Sequence, residues 1–245
     1  MQNTFRLLVL LALLWLPACA TPPAVPGGST QVLLCTTDAW QDATATLRCL
    51  ELSPSGWQLA MPDIAVNVGE NGLGWGLGLH ASGDGPAKHE GDGRAPAGVF
   101  ALGTAFGYAK TAPTGFMMPY RQATSRDYFV DGADSPVYNQ WQRIPVSEIN
   151  DPKRKWSSCE RMRRDDALYE LGMVVNHNMD PAVPGRGSAI FLHVWRGPNS
   201  PTSGCTSMAR ADLLRVLQWL RPQGRPVLVQ VPVALVPHDL LALVQ

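Results

Sequence analysis

Residues 31–245 are predicted to form a mainly β domain with a few helices, on three observations. Short apolar runs rich in β-branched residues recur between turn-forming residues, and only two stretches carry helical spacing. After the amino terminus no stretch is apolar for long enough to span a bilayer. Strands outnumbering helices in this way point to a layered or closed β architecture.

The elements follow in order. Val32–Thr36, Ala45–Leu52, Trp57–Met61 and Ile64–Val68 read as a β meander, with Ser53-Pro54-Ser55-Gly56 turning the second strand into the third. The glycine-rich stretch 69–98 carries Gly72-Leu73-Gly74-Trp75-Gly76-Leu77-Gly78. It has neither the dinucleotide nor the phosphate-loop spacing, so nucleotide binding is unsupported. Gly98–Leu102 restores a strand, and residues 103–155, rich in Pro, Tyr and Gly without periodicity, are expected to be loop-dominated. A helix is predicted over Ser158–Leu171, capped by Ser157 or Ser158 and placing Met162, Leu168 and Leu171 on one face. Strands are expected at Leu171–Asn176 and Ser188–Trp195. A second helix, Arg210–Leu220, repeats Leu213, Leu214, Leu217 and Leu220 and stops at Pro222 and Gly224; Pro226–Val233 supplies the last strand.

The amino terminus reads as an export signal over residues 1–18: Arg6, the apolar run Leu7–Leu16, then Pro17-Ala18-Cys19. Leu16 three positions upstream and small Ala18 just before make Cys19 the expected lipid attachment site, with ordinary signal-peptidase cleavage the alternative because Pro17 sits awkwardly in that box. Residues 19–30, Pro- and Gly-rich and without Asp, Lys or Arg, are expected to be a flexible tether. The protein is therefore expected in the periplasm, held to a membrane by its lipid.

Twenty basic and twenty acidic residues balance, which leaves no electrostatic footprint for nucleic acid. His80, His89, His177, His193 and His238 are scattered, with no helical His pair and no Cys-x-x-Cys, so no metal or other cofactor is expected. Cys35 and Cys49 lie in two adjacent strand-like runs. In an oxidising compartment a disulfide across that hairpin is expected, with two buried free thiols as the alternative. Cys159 is left over, expected as a mostly inert thiol with pairing to another cysteine as the alternative, and nothing in the sequence fixes an oligomeric state.

The strongest chemical signal is His193, which ends an apolar run, followed twelve residues later by Cys205 in Thr202-Ser203-Gly204-Cys205. A thiol is a strong nucleophile only as thiolate, and an adjacent imidazole is the usual device for taking its proton. Gly204 permits a sharp turn whose N–H groups can face a developing oxyanion. The competing reading makes Cys205 a structural thiol and His193 a satisfied core histidine. No Gly-x-Ser-x-Gly elbow supports a serine nucleophile.

Three segments, in this order, resemble the L,D-transpeptidase (YkuD-like) family: Gly91-Asp92-Gly93-Arg94-Ala95-Pro96-Ala97-Gly98-Val99-Phe100, Gly187–His193, and Ser203-Gly204-Cys205. The resemblance spans residues 31–233 and implies a YkuD-like β-sandwich or β-barrel catalytic domain. It implies a cysteine acyl transferase acting on peptidoglycan stem peptides: Cys205 attacks the carbonyl of the third residue, His193 moves the proton to the departing D-alanine, and N–H groups around Gly204 and Cys205 hold the oxyanion. Such an enzyme calls for an exposed Cys205 of low pKa close to His193. Ser203 shapes the turn or bonds the histidine region; His177, Trp195 and Arg196 are candidates for substrate contact, each with a structural alternative. The family commonly has arginine or asparagine where this chain has Ser207, which leaves transpeptidation, carboxypeptidase-like hydrolysis and release of a wall-attached protein open. Arg196, Arg210 and Arg186 are candidates to replace that arginine. A non-catalytic peptidoglycan-binding lipoprotein on the same scaffold is the rival reading.

Overall fold

The computed structural model describes residues 22–148 and 155–244; the expected signal segment 1–18 and Cys19 lie outside the described residues. Strand β1 (Gln31–Thr37) is buried along its whole length, as a strand flanked on both edges must be, and it pairs with β2 (Thr44–Ser53) and with β14 (Val227–Pro232). That double pairing closes the sheet. From β14 the hydrogen-bonded order continues through β6 (Ala95–Gly107), β11 (Leu171–Val175), β12 (Phe191–Val194), β13 (Thr206–Met208) and β4 (Ile64–Asn67) to β2 and back to β1. The ring leaves no open edge along its length. β3 (Gly56–Leu59) extends from β2, while β5 (Leu73–Trp75) and β7 (Tyr120–Gln122) pair with parts of β6. The mainly β expectation holds, in its barrel form.

The strands of the predicted meander all form, and Leu33, Leu34, Leu50, Val66, Phe100, Leu192 and Val229 are among the side chains of one large apolar core. Helix α1 (Arg210–Trp219) buries Leu213, Val216 and Leu217 at helical spacing and packs beside β11 and β12. It ends at Trp219, one residue before the expected Leu220, which is extended and followed by Arg221 and Pro222.

The helix predicted over Ser158–Leu171 does not form. Instead β10 (Glu160–Arg161) joins β8 (Asp127–Val130) and β9 (Gln140–Arg143) in a separate three-stranded sheet. Met162 and Tyr169 turn into a second apolar cluster with Phe106, Phe129 and Phe191, while Leu171 starts β11 and faces the main core. Packing on two different clusters overrides a weak three-residue stripe. The stretch 103–155, expected to be loop-dominated, likewise contributes the end of β6 with β7, β8 and β9. Its organiser is Asp127, 1 % exposed, which accepts hydrogen bonds from Arg143, Thr124 and Trp141. Burial pushes that carboxyl upward, but these donors outweigh it and hold the group at about 2.

The expected Cys35–Cys49 disulfide is absent; both are free, buried thiols. The register explains this, since Cys35 lies opposite Leu47 and Cys49 opposite Leu33. The two share a face but sit diagonally, about 7–8 Å apart, beyond easy bridging distance. Residues 22–30, expected to belong to a flexible tether, are docked: Val25 packs on the core, Ser29 is 5 % exposed, and the Thr30 N–H donates to the Gly224 carbonyl.

Candidate active site

The site is built on the parallel pair β12–β13. Leu192 lies opposite Thr206, His193 opposite Ser207 and Val194 opposite Met208. Side chains alternate between faces, so Leu192, Val194 and Met208 enter the main core, whereas Phe191, His193, Cys205 and Ser207 share the other face. His193 and Cys205 thus both line one cleft of about 390 Å³.

His193 Nδ1 lies 2.7 Å from the Val194 carbonyl, which only accepts, so Nδ1 carries the proton and Nε2 presents its lone pair. The ring meets the Tyr169 ring edge to face at 5.3 Å. Burial lowers this imidazole to about 4 and outweighs the carbonyl bond, which works the other way. Cys205 Sγ accepts the Phe191 N–H at 3.4 Å and donates to the Ala189 carbonyl at 3.5 Å. Burial pushes the thiol up to about 12. Cys205 is 9 % exposed, so the exposed thiol of low pKa expected from the sequence is not what the structure holds. At rest the pair is a neutral imidazole and a neutral thiol, because desolvation penalises both charged forms.

The turn that carries Cys205 is fixed by Thr202, which sequence reasoning passed over. Its Oγ1 donates to the Cys205 carbonyl at 2.7 Å and accepts the Gly204 N–H at 3.0 Å, and its backbone pairs with Val68 and Glu70. The Gly204 N–H expected to hold the oxyanion is therefore committed, which leaves the Ser203 and Cys205 N–H groups as the turn's open donors among the described residues. Gly204 has φ of 150°, and an added Cβ would stand 2.9 Å from the Arg94 carbonyl, so both backbone conformation and close approach require glycine. Ser203 is exposed at the cleft rim.

The wall on the other side of Cys205 is held by Asn139. Its Oδ1 accepts the Ala189 N–H at 3.1 Å, and its Nδ2 donates to the His177 and Asn178 carbonyls. Ala189, whose carbonyl faces the thiol, has φ of 53° and needs this clamp. Ser188 and Tyr138 donate to Glu90, and the buried Lys88 pairs with Asp92 at 2.5 Å. Asp92 also accepts the His89 and Arg94 N–H groups, so the Gly91–Phe100 segment buttresses the turn at Gly204.

His177, a candidate for substrate contact, is 1 % exposed and lies off the cleft. Its Nδ1 accepts the Leu77 N–H and its Nε2 donates to the Arg186 carbonyl, a structural role, and burial lowers it to about 4. Trp195 also stays off the cleft lining, with its N–H on the Met208 carbonyl, whereas Arg196 lines it. Tyr169, Asn139 and Thr202 were not identifiable beforehand, because their roles come from contacts across 24 to 50 residues or from a single hydroxyl.

No curated protein matches this sequence. A solved structure from Bdellovibrio bacteriovorus, that of Bd1075, is similar at 13 % identity with a TM-score of 0.41; the match covers 88 % of this chain and 52 % of that one, so this chain spans about half its length. The model of the YkuD family, the L,D-transpeptidase catalytic domain, matches residues 57–229, which include the Gly91–Phe100 segment, His193 and Cys205, and the chain belongs to that family.

Proposed function

We propose that the protein is a cysteine acyl transferase that acts on peptidoglycan stem peptides, with Cys205 as nucleophile and His193 as general base and acid. The observation that carries this is the shared face of β12–β13, on which His193 offers Nε2 because Val194 holds its Nδ1 proton. In the reaction the Cys205 sulfur bonds to the donor carbonyl carbon as its proton passes to His193 Nε2. Negative charge develops on the carbonyl oxygen within reach of the Cys205 N–H. The carbonyl re-forms, the C–N bond breaks, and His193 returns the proton to the departing amine. An amine or water then resolves the thioester through the same imidazole. A resting neutral pair keeps the thiol unreactive until a donor fills the cleft.

The proposal extends to location: export through residues 1–18 and lipid attachment at Cys19, supported by the apolar run and the Leu16-Pro17-Ala18-Cys19 box. The enzymatic part is tested by incubating the protein with disaccharide tetrapeptide and following D-alanine release and acyl-enzyme mass. The parent is expected to form the thioester and Cys205→Ala to form none. Release of D-alanine by Cys205→Ala at the parent rate refutes the nucleophile, and no reaction by the parent on several donors supports a binding module.

A further inference from the structure

Register orders the cleft along β12. Ser188 and Ala189 lie before the level of Cys205, His193 lies after it, and Arg196 follows three residues later at the same end. His193 delivers the proton to the departing nitrogen, so the leaving residue occupies the His193 end. In an α-amino acid the carboxyl carbon is two bonds from that nitrogen, roughly 2.5 Å away. A group that binds this carboxylate must therefore stand close to the imidazole.

Two guanidinium groups line that end of the cleft. Arg164 is committed, with Nε on Asp166, Nη1 on Glu160 and its plane over the Tyr169 ring at 5.2 Å. Arg196 is exposed and has no ion-pair or hydrogen-bond partner among the described residues. Its charge acts on both His193 and Asp166. Standing alone it opposes the imidazolium that the reaction must form. A carboxylate seated on it cancels that opposition and adds a charge-assisted, bidentate contact.

We infer that Arg196 is the group that binds the free carboxylate of the departing residue. The inference rests on the acyl-transfer reading of the site. It is tested by steady-state kinetics on disaccharide tetrapeptide and on the same donor amidated at its terminal carboxyl, with the parent, Arg196→Ala and Arg196→Lys. Arg196→Ala is expected to raise KM for the free acid on the order of tenfold, with a smaller change in kcat. The amidated donor is expected to be indifferent to the substitution, and Arg196→Lys to recover part of the loss. An equal change on both donors, or none on the free acid, overturns the assignment. A parent that turns over neither donor removes the acyl-transfer reading itself, and this inference with it.

Discussion

At the scale of single residues, the proposed chemistry turns on two groups that burial holds neutral. His193 near 4 and Cys205 near 12 bracket the working range, so an imidazole base and an intact thiol coexist throughout it. Acylation, measured as kcat/KM for D-alanine release, is accordingly expected to be flat from about pH 6 to 9. It should fall only as acid protonates His193 toward pH 4, since that removes the base. An inflection near pH 7 would instead indicate a preformed thiolate–imidazolium pair. Gly204 is the second sensitive point. Gly204→Ala places a methyl against the Arg94 carbonyl and a side chain at φ of 150°, so it is expected to cost acylation at least tenfold while the fold persists. Parent-like acylation by that variant, read by intact-protein mass, would show that the turn tolerates a shift of the nucleophile. Gly204, His193 and Cys205 were legible because glycine, imidazole and thiol each do something no other residue does. Thr202 and Asn139 were not, because hydroxyl and amide side chains cap turns everywhere and only the folded chain shows which backbone groups they meet.

Among the elements, the three-stranded sheet of β8, β9 and β10 is the least legible and the most dependent on one polar centre. Its strands are two to four residues long and carry no alternating apolar pattern; the Asp127 carboxylate ties β8 to Arg143 and Trp141 of β9 and to Thr124, while β10 joins β8 through its backbone. Because its folded pKa, about 2, lies below its ordinary 3.8, the folded state binds fewer protons than the unfolded chain between those values. The stabilisation is therefore complete above about pH 4, is lost as pH falls toward 2, and amounts to about 2 kcal/mol. Asp127→Asn is expected to lower stability at pH 7 and to flatten that acid limb in urea titrations at several pH values. An acid limb identical to the parent's would exclude Asp127 as its source. The longer strands were legible for the opposite reason: β1 and β14 carry the apolar runs Val32–Cys35 and Val227–Val229, and α1 repeats leucine at helical spacing, so local pattern and burial agree. The stretch 158–171 misled because its apolar residues serve two separate clusters.

For the molecule as a whole, the unexpected combination is a chain that reads as exported yet holds Cys35 and Cys49 as free thiols. Closure of the barrel by β1 sets the β1–β2 register, and that register places Cys35 and Cys49 diagonally rather than opposite. Sequence could place both in neighbouring strands, but a two-residue offset in register is decided by closure of the whole ring and is invisible locally. Both thiols are fully buried and pushed up to about 12 by desolvation, so they neither pair nor react while the barrel stands. Protein purified under oxidising conditions is thus expected to melt at the same temperature with and without reductant. Iodoacetamide should modify Cys35 and Cys49 only after denaturation, and without prior reduction. A structural disulfide would behave differently: losing one typically costs about 2–5 kcal/mol, enough to lower the melting temperature by several degrees on reduction. A fall of that size, or a denatured mass two daltons short at the Cys35–Cys49 peptides, would mean that the barrel closes in another register.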